Sequence, residues 1–397
     1  MRILVLSEGD ADSQMRSGSG IPNSVVNHLR KQGHQVITRD IDLHGVPRLL
    51  GAAAAFSPKR RRWMVKFHLA AVPFALRSRN AVRHVMRHAG GVDAVLQYGA
   101  TAAPPRGSVP YYLYCDSHVG MSASRQPHMW TSELSIPEFE RAVAQEQGVY
   151  EGAAGIFTFS EGVRQSFIRD VGMPADRVVT AFPGPNLDLA SVPPRASGDR
   201  ARGEGPPADV LFVGKEFERK GGDLLVRAMR RVRAVVPEAT LTVIGPRNLQ
   251  LDEPGVRVLG YLSKDDPQQL ATIMNAYASA RVFAFPTRFE PFGVVLLEAM
   301  LHGLPCVASH VGAIPEIIVE GETGFTVPVD DEAALAERLL TVLRDPALGD
   351  RMGAAGRERV LAGFTWDAVA TTMTRRMAAD LAARDRSGRP QELSARG

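Results

Sequence analysis

Phe285-Pro286-Thr287-Arg288-Phe289-Glu290-Pro291-Phe292-Gly293-Val294-Val295-Leu296-Leu297-Glu298-Ala299-Met300 holds a strand end, a loop and a helix start in one short run. The apolar residues from Arg281 to Pro286 read as a buried strand that stops at Pro286. Pro291 stands at the mouth of the following helix, where a missing N–H is harmless. Val294 to Met300 is apolar nearly all round apart from Glu298, which predicts a buried helix. The exposed amides at its start form a site for an anion such as a diphosphate. Glu298 lies about 7–8 Å along the axis from Gly293, while Glu290 stays in the loop. Taken alone, Glu298 reads as a surface helical glutamate; among those neighbours it is buried and needs partners. A carboxylate can accept hydrogen bonds from two adjacent sugar hydroxyls.

The same strand-loop-helix unit occurs upstream. Asp209 to Gly214 reads as a strand, and Leu224, Leu225, Ala228, Val232 and Val235 mark one helix face. Between them lies Gly214-Lys215-Glu216-Phe217-Glu218-Arg219-Lys220-Gly221-Gly222, whose glycines permit close backbone approach and whose Lys215 and Lys220 offer charge to phosphate oxygens. No Gly-Lys-Ser/Thr follows, so this is not a P-loop. Thr240 to Gly245 and Pro305 to Ser309 add strands. The N-terminal half repeats the plan with Ile3 to Leu6, a loop from Ser7 to Gly20, a helix over Val25, Val26 and Leu29, and Gln35 to Thr38. Further strands are read at Ala94 to Leu96, Tyr111 to Tyr114 and Gly155 to Phe159. Residues 195–208 contain no apolar side chain larger than alanine and read as a linker. The expected architecture is α/β, with two Rossmann-like domains facing a central cleft. Residues 1–190 form the first domain, 191–208 the linker, 209–370 the second domain and 371–397 a C-terminal helix and flexible tail. Ligands in such sheets sit outside the carboxyl ends of the strands.

Composition narrows the function classes. The chain has 397 residues, and 47 Lys+Arg against 43 Asp+Glu leave a formal charge of +4, too mild to argue for nucleic acid. Two cysteines, Cys115 and Cys306, exclude a disulfide framework and fit a reducing compartment. No apolar run is long enough for a signal peptide or a membrane span. The abundant arginine and alanine suggest a bacterial source. Asp10-Ala11-Asp12 stands in the wrong context for a metal motif, and no metal is expected. Asp116 and His118 follow a strand, where an ordinary turn is an equal reading. From Leu43 to Val92 there are ten basic residues and no acidic one. With Trp63, Met64, Phe67, Leu69, Val72 and Phe74 interleaved, this reads either as a solvated helical face or as a surface for anionic lipid.

These motifs together resemble the retaining glycosyltransferases of family four, which have the B-type two-domain fold. The resemblance runs roughly from Ile3 to Ala370. It rests on Glu290 and Glu298 with seven residues between them, on Phe212-Val213-Gly214-Lys215 with Arg219-Lys220-Gly221, and on Gly312-Ala313-Ile314-Pro315-Glu316. It implies that Lys215 and Lys220 neutralise a donor diphosphate, Glu298 holds the ribose, and Glu290 contacts the donor sugar. Phe292, Gly293 and Val294 would offer their amides, and the base would rest near Tyr261 and Leu262. Gly18-Ser19-Gly20 resembles the family's first glycine loop, and either Asp116 or His118 would serve in the cleft. The final helix would cross back onto the first domain.

The implied activity is metal-independent hexosyl transfer, with retention of configuration, from a UDP- or GDP-sugar. The acceptor would be a lipid-linked, polysaccharide-precursor or small-molecule hydroxyl. No cofactor and no nucleic-acid partner are expected. The expected location is cytoplasmic, with the segment 43–92 available for the inner face of the cell membrane. A nucleotide-sugar epimerase on a similar fold and a non-catalytic basic adaptor are the competing readings.

Overall fold

The computed structural model describes residues 1–13, 20–122, 129–193 and 209–387. Gly18, most of the expected linker and the final tail lie outside these residues.

The chain begins with β1 (Arg2–Ser7), α1 (Ile21–Lys31) and β2 (Gln35–Asp40), followed by three successive helices, α2 (Gly45–Ala54), α3 (Arg60–Leu69) and α4 (Ala71–His88). It continues through β3 (Ala94–Tyr98), β4 (Tyr111–Cys115), α5 (Ile136–Gly152), β5 (Gly155–Thr158), α6 (Glu161–Arg169) and β6 (Val178–Thr180). These strands form one parallel sheet in the order β2-β1-β3-β4-β5-β6. Ile3 to Ser7 are almost wholly buried, as expected of a strand covered on both faces. In α1, Pro22 sits in the first turn and Ile21, Val25, Val26 and Leu29 turn inward.

The second domain contains β7 (Asp209–Val213), α7 (Gly222–Arg233), β8 (Thr240–Ile244), β9 (Val256–Gly260), α8 (Pro267–Ser279), β10 (Val282–Phe285) and α9 (Val294–Leu301). After these come β11 (Cys306–Ser309), α10 (Ile314–Ile317), β12 (Gly324–Val327), α11 (Glu332–Arg344) and α12 (Pro346–Gly363). Its parallel sheet runs β12-β11-β10-β7-β8-β9, with Val282 opposite Val210 and Phe283 opposite Leu211. The chain winds one way from β7 to β9 and the other way from β10 to β12. The loops after β7 and β10 therefore diverge at the switch point, where open α/β sheets have their ligand crevice.

The last helix, α13 (Trp366–Ser387), crosses back onto the first domain. Gln32 Nε2 donates to Asp367 O at 3.0 Å and to Thr371 Oγ1 at 2.9 Å, and the Tyr112 hydroxyl donates to Asp380 at 3.1 Å. The crossing thus begins at 366 rather than 371. One apolar cluster runs through both domains, from Ile3 and Val25 to Phe292, Trp366 and Met373.

Three short strands, β6, β9 and β12, are absent from the sequence reading. All three are sheet edges, and an edge strand of a few residues lacks the doubly buried apolar run that betrays a central one. The basic segment also differs from expectation. Arg77 is fully buried, Arg62 and Lys66 pair with Glu138, and Leu69 is buried. Trp63 donates to Ala52 O at 2.8 Å, and Phe67 lies beneath the Arg48 and Arg77 guanidiniums. Its exposed apolar side chains are instead mainly Val46, Leu49, Leu50 and Phe56, at 67%, 70%, 57% and 62%, with Met64 and Val72. Among the described residues no helix is long and apolar enough to cross a membrane, and Cys115 and Cys306 are both buried and outside any disulfide.

Candidate active site

The β7 and β10 loops are bound to each other. Arg219 Nη1 donates to Phe289 O at 2.6 Å, and the Arg288 amide donates to Arg219 O at 2.9 Å. The Arg288 guanidinium holds both oxygens of Asp223 at 2.7 and 2.8 Å and Asp330 at 2.7 Å. This clamp brings Lys220 Nζ onto Glu290 Oε2. Burial and the nearby Arg219 press the Lys220 ammonium down to about 7, while the Glu290 carboxylate in contact with it favours the charged form. Lys215 lies 5.2 Å from the Tyr261 ring centroid, and the Arg247 guanidinium lies 4.3 Å from the same ring.

Gly293 caps α9 in the left-handed conformation, φ 99°, and among the described residues no side chain makes a capping hydrogen bond at that helix end. Gly312 shapes the adjoining wall. With φ 57°, a β-carbon there would stand 1.9 Å from Glu290 O, so only glycine lets the two loops close. Inside α9, Glu298 is 4% exposed. It receives Lys264 Nζ at 2.5 Å and the Tyr277 hydroxyl at 3.2 Å, and Lys264 also reaches Asn186 O at 3.4 Å. Both cleft glutamates are therefore lysine-paired before a ligand enters. A diphosphate can take Lys220 from Glu290, and ribose hydroxyls can compete with Lys264 for Glu298.

A cleft of about 590 Å³ joins these groups. Lys215, Lys220, Glu290, Phe292, Gly293, Val294, Glu298, Tyr261 and Leu262 all line it, and the first domain contributes Ile21, Tyr98, Asp116, Phe159 and Asn186. The volume suits a nucleotide-sized ligand. Burial raises the Asp116 carboxyl above its usual range, against the Ser117 hydroxyl that donates to it at 3.0 Å.

His118 is not brought to the cleft. It bonds Ser166 Oγ at 2.8 Å, meets the Phe167 ring at 5.0 Å, and burial pushes it down to about 4. β4 ends at Cys115, so the two-residue period that would put both side chains on one face no longer applies: Asp116 lines the cleft, while His118 packs back on α6. Gly20 caps α1 just behind Ile21, outside the lining set. Asp12 is held by Arg30 at 2.6 Å and by Thr38. Among the described residues no three His, Cys, Asp or Glu gather as metal ligands. Lys264, Tyr277 and Arg247 escaped the sequence reading, because each acts through tertiary neighbours. The one available signal was that a buried Glu298 demands a cation.

Comparison with known proteins places this geometry. Residues 207–345 match the family described as Glycosyl transferases group 1. A glycogen synthase of Mycobacterium tuberculosis is 35% identical over 175 residues, 42% of this chain and 41% of that protein. This chain therefore spans about two fifths of that relative's length. An alpha-maltose-1-phosphate synthase of the same organism is 27% identical over 395 residues, 93% of this chain and 97% of its own. In structure, the chain is similar to a sucrose-phosphate synthase from Thermosynechococcus elongatus, with TM-score 0.68, 23% identity, and coverage of 96% of this chain and 100% of that one. It is also similar to Anabaena HepE in complex with UDP and glucose, with TM-score 0.62, 16% identity, and coverage of 96% and 100%.

Proposed function

From a chain that carries a Glycosyl transferases group 1 domain within the two-domain B-type glycosyltransferase fold, we propose a retaining, metal-independent hexosyltransferase that moves a sugar from a nucleotide sugar to an acceptor hydroxyl. One observation carries the reading: Lys215, Lys220, Glu290, the open end of α9 and Glu298 converge on one cleft at the switch point of the second sheet. The lysines and helix amides stabilise the departing diphosphate, Glu298 holds the ribose, and Glu290 orients the sugar. Asp116 faces them from the other domain and is placed to meet the acceptor. The leaving phosphate accepts the acceptor proton as the new bond forms on the same face of the sugar. HepE, which binds UDP and glucose according to its description, makes UDP-sugars the first donors to try.

Calorimetric titration with UDP- and GDP-sugars tests this reading. Wild type is expected to bind one of them and Glu298→Ala to lose at least roughly tenfold in affinity, the weight of a charge-assisted hydrogen bond. Failure of every donor would defeat the proposal. An NMR assay of the product anomer tests retention, and release of an altered sugar nucleotide without any acceptor would indicate an epimerase instead.

The exposed side chains Val46, Leu49 and Leu50 lie on α2, next to exposed Lys59, Arg60 and Arg61, with no acidic residue between 43 and 92. That combination favours an anionic membrane surface and a lipid-linked acceptor. Sedimentation is expected with phosphatidylglycerol vesicles and not with phosphatidylcholine alone, and to be lost in Leu49→Ser/Leu50→Ser. Equal sedimentation with both lipids, or with neither, would discard this part of the proposal.

A further inference from the structure

Glu316 belongs to the second domain, yet its carboxylate is spent on the first. Oε2 accepts the Glu161 amide at 2.7 Å and Oε1 accepts the Gly162 amide at 2.8 Å, so both oxygens close on the first turn of α6. The fit is close: a β-carbon on Gly162 would stand 3.1 Å from Glu316 Oε1. Each end of this bridge is itself fixed. Arg359 holds the Glu316 and Ile317 carbonyls at 2.7 and 2.8 Å. Ser160 caps α6 by accepting the Val163 amide at 3.1 Å. One residue earlier, Phe159 meets Phe292 edge-on across the cleft at 6.1 Å. Four residues before Glu316, Gly312 abuts the Glu290 carbonyl. The contact therefore joins the turn after β5 to the two loops that shape the donor side of the cleft.

We infer that Glu316 is a positioning residue, a carboxylate latch that holds the two domains in the closed register by capping α6 from the opposite domain. The bond is charge-assisted, it adds a negative charge to a helix N-terminus, and it links the two domains, so its loss frees a rigid-body motion rather than a local loop. Its catalytic consequence rests on the transferase reading: with the latch open, Asp116 and an acceptor bound to the first domain drift from the donor sugar, while the donor site, built within the second domain, stays intact.

The test uses the full chain without ligand. Spin labels at Arg169→Cys and Glu322→Cys report the distance between domains, the native cysteines being buried. Both Glu316→Ala and Gly162→Val, which crowds the carboxylate from the other side, are expected to lengthen and broaden the distance distribution. UDP affinity is expected to stay within about twofold while UDP release from UDP-glucose slows by roughly tenfold. An unchanged distribution in both variants overturns the latch. A shifted distribution with unchanged turnover overturns its positioning role. A wild type that neither binds UDP nor cleaves UDP-glucose counts against this donor, and the distances still judge the latch.

Discussion

Lys220 sits between opposing influences: burial and Arg219 press its ammonium down to about 7, while Glu216 and the Glu290 carboxylate in contact with it favour the charged form. A bound diphosphate strengthens the charged form, so the pKa rises on binding. The affinity owed to Lys220 is then complete below about pH 7 and declines as pH climbs towards the bound-state pKa. Titrations in buffers of different ionisation enthalpy are expected to show proton uptake near pH 8, and Lys220→Arg to flatten the profile. Affinity that does not change between roughly pH 6 and 9 would remove Lys220 from the diphosphate site. At this scale the sequence was informative about chemistry and silent about pairing. Glu290, Glu298, Lys215 and Lys220 could be named from motif and context. Lys264 could not, because a lysine in a polar loop looks the same whether it meets water or a buried carboxylate. Asp116 and His118 were indistinguishable for a similar reason: two residues of chain separate them, and only packing against α6 decides which one faces the cleft.

The elements that make the site are the loops after β7 and β10, and their rigidity comes from arginines. Arg219 and Arg288 stitch residues some seventy positions apart into one surface. Gly312 completes that surface by letting the loop before α10 lie directly on Glu290. Gly312→Ala is expected to leave UDP binding in place and to cut turnover by about a hundredfold, the scale at which a displacement near 1 Å acts on a reacting group. Turnover within a factor of about three of wild type would show that the Glu290 loop relaxes freely. The apolar patch on α2 also belongs to this scale. Of the apolar side chains read from the sequence as anchors in the basic segment, Met64 and Val72 are exposed. Trp63, Phe67 and Leu69 turned out to serve the helical packing, since three consecutive helices bury alternate faces against one another.

Across the whole molecule, α13 and the segment after β6 hold the two domains together. The Trp366 indole donates to Pro185 O at 2.8 Å and packs so closely on Gly184 that a β-carbon there would stand 2.8 Å from the ring. Trp366→Ala is expected to cost about 3–5 kcal/mol in denaturant unfolding, as for other buried aromatic truncations. UDP affinity should survive in the folded variant, because the donor site lies in residues 209–344. A loss under about 1 kcal/mol would mean that the crossing is held elsewhere along α13. The Glu316 contact with α6 joins the same two domains at a second place.

The crossing helix was implied only by the family resemblance. The sequence by itself determined the α/β class, the two-domain order and the residue types of the candidate site. Those features are local: apolar runs make parallel strands, glycines and prolines mark the loops after them, and a charged residue inside an apolar helix announces a buried function. Tertiary structure decided what depends on two distant segments meeting. The switch point places the β7 and β10 loops side by side, the arginine clamp fixes them, Lys264 and Tyr277 satisfy Glu298, and Glu316 reaches across to α6. Hydrogen bonds and ion pairs between segments far apart in the chain leave no periodicity in it. Each requires both partners to be positioned by packing, which only the folded chain supplies.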